Sequence, residues 1–397
     1  MNIVLLADVF PPLRSSGAVL VRDLALEWVR AGHRVTVLVP SPGLADAWQV
    51  EAFHGVEVLR LRAPQTKDVG LIRRALAEIG MPLVMWKNWR RSPLQARRWD
   101  GVVWYSPTIF LGPLAWILKR RNGSRAYLIL RDIFPDWAVD MGLMRRGLPY
   151  WFFKAVERFQ YRVADVIGVQ SPAALSYFSG WRRQGSRRVE VLQNWLADAP
   201  IAPCSIEVQV GALAGRRVFV YAGNMGQAQG LDVVLDAASL LRDDARVGFL
   251  LVGRGTEAAR LRDRARDMGL SNMVFHDEID PDEIPGLYAQ CHAGLVILDP
   301  RHRTHNVPGK FLSYMWAGLA VLACVNRGND LIELIREERV GVALNECSAK
   351  AIADGVLSLL HISAEEARER SERCRALASR QYAPAIAARQ IEEGLKA

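Results

Sequence analysis

Residues 1–40 read MNIVLLADVFPPLRSSGAVLVRDLALEWVRAGHRVTVLVP, and their pattern decides the fold. Residues 3–7 are an apolar run of strand length, FPPLRSSG (10–17) is a Pro/Gly/Ser loop, and 18–30 has helical spacing, with Val19, Leu20, Leu24, Leu26 and Val29 apolar. Gly32 stops that helix before a second apolar run at 34–39. A strand, a helix and a strand, with the strands continuously rather than alternately apolar, predict a parallel sheet covered on both faces.

The unit recurs. Strands are expected at 101–105, 126–130 and 166–170, with helices ending near 119–121 and spanning 150 to about 162. Composition changes at 194–217, where Pro200, Pro203, Gly211 and Gly215 mark a linker. A second series follows: strand 218–221, loop 222–230, helix 231–241, then strands 247–252, 273–276, 293–298 and 319–324. Pro384 interrupts the pattern before a last helix at about 385–395. The chain therefore reads as two doubly wound α/β domains, as a length of 397 residues favours.

Half the residues are apolar and 23% charged, which excludes a disordered chain. No apolar run is long enough for a transmembrane helix, and the first residues, lacking a basic lead-in, read as a strand rather than a signal peptide. The five cysteines (Cys204, Cys291, Cys324, Cys347, Cys374) are far apart in sequence and are expected to be reduced thiols. The net charge of +9 is uneven: residues 1–200 hold 28 basic and 16 acidic residues, whereas 201–397 hold 23 and 26. The first half attracts anions and the second does not.

In open α/β sheets ligands bind beyond the carboxyl ends of strands, so the strand-to-helix loops are the candidate sites. FPPLRSSG lacks G-x-G-x-x-G, which counts against a dinucleotide-binding dehydrogenase. RDIFPDW (131–137) puts Arg131 and Asp132 at a strand end, as substrate ligands or as a local ion pair or cap. AGNMGQAQG (222–230) and GRG (253–255) are either anion cradles or plain turns. HRTHNVPGKFLSYM (302–315) places a helix start and Lys310 at one point, either a ready site for a diphosphate or an ordinary helix start with a solvated lysine. His302 and His305 have no carboxylate or Cys at ligand spacing, so no metal is expected. Trp86, Lys87, Trp89, Arg90, Arg91, Arg97 and Arg98 interleave aromatic and basic side chains without an acid. That composition suits an anionic membrane surface better than a solvated loop, and better than nucleic acid.

With FPPLRSSG, RDIFPDW, RVADVIGVQS, QNW, YAGNMGQAQGLDVVLDAA, LLVGRG and VPGKFLSYMWAG in this order, the chain resembles retaining glycosyltransferases of the GT-B fold, family 4, and among them the bacterial polysaccharide branch that includes N-acetyl-L-fucosamine transferases. The resemblance implies two Rossmann-like domains facing across a cleft. Residues 1–200 would bind the acceptor and the membrane, 201–375 the nucleotide sugar, and the final segment, 376–397, would return to the first domain. Donor contacts would come from Gly17, Asn224, Gly226, Arg254, His305, Asn306, Gly309 and Ser313. Lys310, Arg131 and Asp132 would carry the chemistry, with no cofactor and no metal. The implied substrates are a nucleoside-diphosphate sugar, such as a UDP-N-acetyl-deoxysugar, and a polyprenyl-diphosphate-linked saccharide. The implied location is the cytoplasmic face of the plasma membrane. The chain departs from the family where two glutamates eight residues apart are replaced by His305 and Ser313, and where Asn224, Gln229 and Arg131 stand in place of Arg, Lys and His. A hydrolysing sugar-nucleotide epimerase and a weakened nucleotide-sugar-binding partner protein are the rival readings.

Overall fold

The computed structural model describes residues 1–13, 15–66, 69–140, 142–179, 187–299, 307–326 and 328–396. The chain forms two compact units, Met1–Leu196 with Pro384–Ala397, and Ala197–Ala383. Among the described residues no helix is long and apolar enough to cross a membrane.

In chain order the first unit contains β1 (Asn2–Leu6), α1 (Ser16–Arg30), β2 (Arg34–Ser41), β3 (Trp48–Phe53), β4 (Val56–Arg62), α2 (Leu71–Trp89), β5 (Gly101–Ser106), α3 (Gly112–Asn122), β6 (Arg125–Leu130), α4 (Asp136–Asp140), α5 (Leu148–Val163), β7 (Val166–Val169) and β8 (Arg188–Val191). Its sheet runs β3-β4-β2-β1-β5-β6-β7-β8, parallel except for β3. β1 shows why its sequence is continuously apolar: Ile3 and Leu5 enter the core beneath α1, while Val4 and Leu6 enter the core beneath α2, α3 and α5. All four side chains are fully buried, as a strand covered on both faces requires. The Ser15 hydroxyl accepts from the Ala18 amide and caps α1.

The second unit contains β9 (Arg217–Ala222), α6 (Asp232–Leu240), β10 (Val247–Val252), α7 (Ala258–Asp267), β11 (Met273–His276), α8 (Ile284–Tyr288), β12 (Ala293–Ile297), α9 (Gly309–Ala317), β13 (Ala320–Cys324), α10 (Asp330–Glu338), β14 (Gly341–Ala343), α11 (Ala349–Leu360) and α12 (Ala364–Leu377). Its sheet, β11-β10-β9-β12-β13-β14, is wholly parallel. The strand order reverses between β1 and β5 in the first sheet and between β9 and β12 in the second. Those are the topological switch points at which such sheets bind ligands.

α13 (Pro384–Lys396) belongs to the first unit. Ile391 and Leu395 are buried in the core beneath α1, Trp28 Nε1 donates to the Ala388 carbonyl at 3.3 Å, and His33 pairs with Glu392 at 3.1 Å. The returning segment starts at Pro384 rather than at 376, because α12 packs on α9 in the second unit.

Residues 48–62 form an antiparallel hairpin turned by His54 and Gly55, both at positive φ. Two other expectations are corrected. Trp86, Lys87 and Trp89, expected on a membrane surface segment, belong to the helix α2, with Pro82 inside it. Cys324 and Cys347 form a disulfide, because the end of β13 and the approach to α11 bring their Cα atoms to 5.3 Å; the other three cysteines are free.

Replacing Ile391 by Ala removes a fully buried side chain from between α13 and the first sheet. It should destabilise the first unit by about 2–5 kcal/mol in urea unfolding. An unchanged midpoint would mean that α13 is not part of that core.

Candidate functional site

In the first unit, the carboxyl ends of β1, β5 and β6 bring Asp8, Tyr105, Arg131 and Asp132 into one electrostatic cluster. Gly17, at the start of α1, closes it. A Cβ there would meet the Tyr105 hydroxyl at 3.2 Å and Val9 at 3.2 Å, so only glycine sits comfortably against the tyrosine. Burial pushes the Asp132 carboxyl up to about 6, opposed by the Arg131 charge and reinforced by Asp8. Burial likewise raises the Tyr105 hydroxyl far above neutrality, so it is a neutral donor.

Arg131 does not have the expected role. Its guanidinium donates to the Leu192 carbonyl at 2.8 Å and to the Gln193 carbonyl at 3.4 Å, and it lies 5.0 Å from the Trp195 ring. With 5% of its surface exposed, it is spent on the 192–195 segment. It acts on Asp132 by its field rather than by reaching a substrate. Burial lowers its pKa to about 10, so it is still cationic at neutral pH. The local ion pair in RDIFPDW is made by Asp136, not Asp132. Asp136 accepts from Lys154 at 2.6 Å, Tyr150 at 2.8 Å and Tyr177 at 2.7 Å, which fastens the loop to α5.

In the second unit, the loops leaving β9 and β10 pack backbone against backbone. The Gly223 amide donates to Val252 O at 2.9 Å and the Met225 amide to Arg254 O at 2.7 Å. Gly253 has φ 139°, and a Cβ on it would lie 2.0 Å from the Gly223 carbonyl oxygen, so no other residue fits. The glycines of GRG are therefore explained by loop contact. The Gly226 amide donates to the Gln229 side chain of its own loop at 3.0 Å. Asn224 is exposed, with its amide 3.3 Å from Gln229 Oε1. Arg254 is 77% exposed and pairs with Glu278 at 2.9 Å.

The firmest feature is Lys310. It is the second residue of α9, whose N-cap Pro308 supplies no side-chain acceptor. Its ammonium lies 4.6 Å from the centre of the Tyr221 ring, beside Gly223. No carboxylate pairs with it among the described residues, and burial lowers its pKa to about 8. A desolvated cation at a helix N-terminus selects an anion. Gly309 is exposed at the same helix start, and the Ser313 hydroxyl, one turn on, donates to the Gly309 carbonyl at 3.4 Å. His302, His305 and Asn306 lie outside the described residues. Among the described residues no three His, Cys, Asp or Glu side chains gather as metal ligands.

A cavity of about 290 Å³ lies on the other flank of the β9 loop, lined by Gly226, Asp232, Glu257, Asp299 and Arg260. Arg260 is already bound by Asp232 and Glu257. Three carboxylates against one engaged Arg make it a poor diphosphate site.

The membrane segment is redrawn. Trp89 is 1% exposed and stacks near Trp99 in the core, and Trp86 packs on the same core. Arg97 is paired with Glu57, and Arg98 bonds to the Arg121 carbonyl. Lys87, Arg90 and Arg91 are exposed.

Residues 17–195 match the family model described as a Glycosyl transferase 4-like domain, and residues 216–361 match that of Glycosyl transferases group 1. The chain is a glycosyltransferase. It is 25% identical over 374 residues, 88% of its length and 90% of the relative's, to the putative colanic acid biosynthesis glycosyl transferase WcaI of Escherichia coli K12. Its fold is GT-B. It is similar to sucrose-phosphate synthase from Thermosynechococcus elongatus (TM-score 0.75, 16% identity, covering 99% of this chain and 98% of that one). It is also similar to Anabaena HepE in complex with UDP-glucose (TM-score 0.69, 17% identity, covering 100% of both chains).

In this glycosyltransferase, Asp8, Tyr105 and Tyr221 lie beside the candidate site residues and were not singled out by motif reading. Their signal was position, at the ends of β1, β5 and β9. Because Asp132 ionises near 6, transfer that needs its carboxylate should fall as pH drops through about 6. That acid limb should vanish in Asp132→Asn, at a lower plateau. An identical limb in the variant would assign it to another group.

Proposed function

We propose that this glycosyltransferase moves a sugar from a UDP-sugar to a polyprenyl-diphosphate-linked saccharide, with retention at the anomeric carbon, in bacterial polysaccharide biosynthesis. The observation that carries the reading is Lys310 at the start of α9, half-buried and unpaired among the described residues. It supports a diphosphate leaving group held in the second unit. A polysaccharide product follows the description of WcaI, and uridine as base follows that of HepE.

In the reaction, the bond from the sugar C1 to the β-phosphate oxygen breaks. A bond from C1 to the acceptor hydroxyl oxygen forms on the same face, and the hydroxyl proton passes to the departing phosphate oxygen. Lys310 and the α9 amides stabilise the charge that grows on the diphosphate, which is the largest electrostatic demand of the step. Asp132 and Asp8, with the Tyr105 hydroxyl, orient the acceptor hydroxyl. No protein nucleophile, cofactor or metal is needed for this sequence. An N-acetylated deoxysugar is the proposed donor group.

Lys310→Ala should lower kcat by on the order of 10²-fold, as for loss of one charged contact to a leaving group. In thermal-shift assays without metal, UDP should stabilise the wild-type protein more than GDP, ADP or dTDP, because a ligand bound only by the native state raises stability. Wild-type turnover by Lys310→Ala would remove that residue from the mechanism. The absence of any nucleotide shift would overturn the donor assignment.

A further inference from the structure

We propose that Trp195 is a positioning residue for Asp132, acting through Arg131. The stretches RVADVIGVQS (162–171) and QNW (193–195), to which composition assigns no chemistry, meet on that arginine. Arg131 is held along its whole length. Its amide donates to the Ser106 carbonyl at 3.3 Å, and its carbonyl accepts from Gln170 Nε2 at 3.0 Å. Its guanidinium donates to the Leu192 and Gln193 carbonyls. Those carbonyls are themselves anchored to β7. The Leu192 amide donates to the Val169 carbonyl at 2.7 Å. Gly168 in the same strand makes the approach possible, since a Cβ there would lie 2.7 Å from that of Leu192.

Trp195 closes the remaining side. It is buried, its ring receives the guanidinium at 5.0 Å, and its indole N–H donates to the Leu20 carbonyl of α1 at 2.8 Å. A side chain that only filled the core beneath α1 would need neither contact. One ring thus joins α1, whose first turn carries Gly17, to the arginine beside Asp132. A cation stacked on a ring and spread over two carbonyls keeps its charge but cannot swing. Its field therefore reaches Asp132 from a fixed point. The other groups facing Asp132 are Asp8 at the end of β1, whose charge opposes ionisation, and the neutral Tyr105 hydroxyl at the end of β5. The place of the guanidinium is what Trp195 controls.

The proposal deepens the reading of Asp132 as a group that orients the acceptor hydroxyl, and rests on that reading for its purpose. Its test needs no substrate. In the full chain carrying isotopically labelled aspartate, the carboxyl NMR signal that is lost in Asp132→Asn reports this group. Its wild-type midpoint should lie at about 6. Trp195→Leu removes the ring and frees the guanidinium to turn onto the carboxylate, so the midpoint should fall by about one unit or more. Trp195→Phe keeps an aromatic face and should hold the midpoint near 6. Arg131→Met removes the charge and should raise it, which keeps the test decisive should Trp195→Leu fail to fold. An unmoved midpoint in folded Trp195→Leu, or in Arg131→Met, overturns the proposal even if the melting temperature drops, because Trp195 then only packs. The expected shifts, together with an acid limb of sugar transfer that survives in Asp132→Asn, would leave the positioning role standing and defeat the reading of Asp132.

Discussion

The interaction on which the second unit's candidate site depends is a half-buried lysine ammonium that no carboxylate among the described residues pairs with. Lys310 rests on the Tyr221 ring at the N-terminus of α9, where the helix adds its own positive end. Burial disfavours the charged form, which is why the ammonium loses its proton more readily than a free lysine. On the proposed reading, the diphosphate of the donor would compensate that charge. That constraint explains the neighbouring glycines: Gly223 and Gly253 allow the β9 and β10 loops to close on one another and fix the floor of the site.

The first unit solves the opposite problem. There a carboxylate is desolvated, and the fixed guanidinium of Arg131 moderates the cost without quenching the group. Arg131 can do so because Leu192, Gln193 and Trp195 hold it in place. A mobile arginine would ion-pair with Asp132 and suppress its basicity. The Asp136–Lys154–Tyr177 network performs the same service for the loop itself, so that Asp132 leaves β6 at a fixed angle.

Much of this was legible in the chain. Continuous apolar runs at 3–7 and 247–252 coincide closely with β1 and β10, because a strand buried on both faces admits nothing else. The helix start at Gly309 and Lys310 was visible from Pro308. Side-chain commitments were not. An arginine after a strand has the length to reach either a substrate or a carbonyl, and only the position of Leu192 decides for Arg131. A glycine in a loop has its amide open or occupied, and Gln229 decides for Gly226. Trp89 reads as a membrane aromatic until the helical phase of α2, masked by Pro82, turns it inward.

The most direct test is a crystal structure of the enzyme with UDP bound. The β-phosphate should lie within hydrogen-bonding distance of Lys310 Nζ and of the first amides of α9. UDP seated instead in the cavity beside Asp232 and Arg260, with Lys310 untouched, would contradict it.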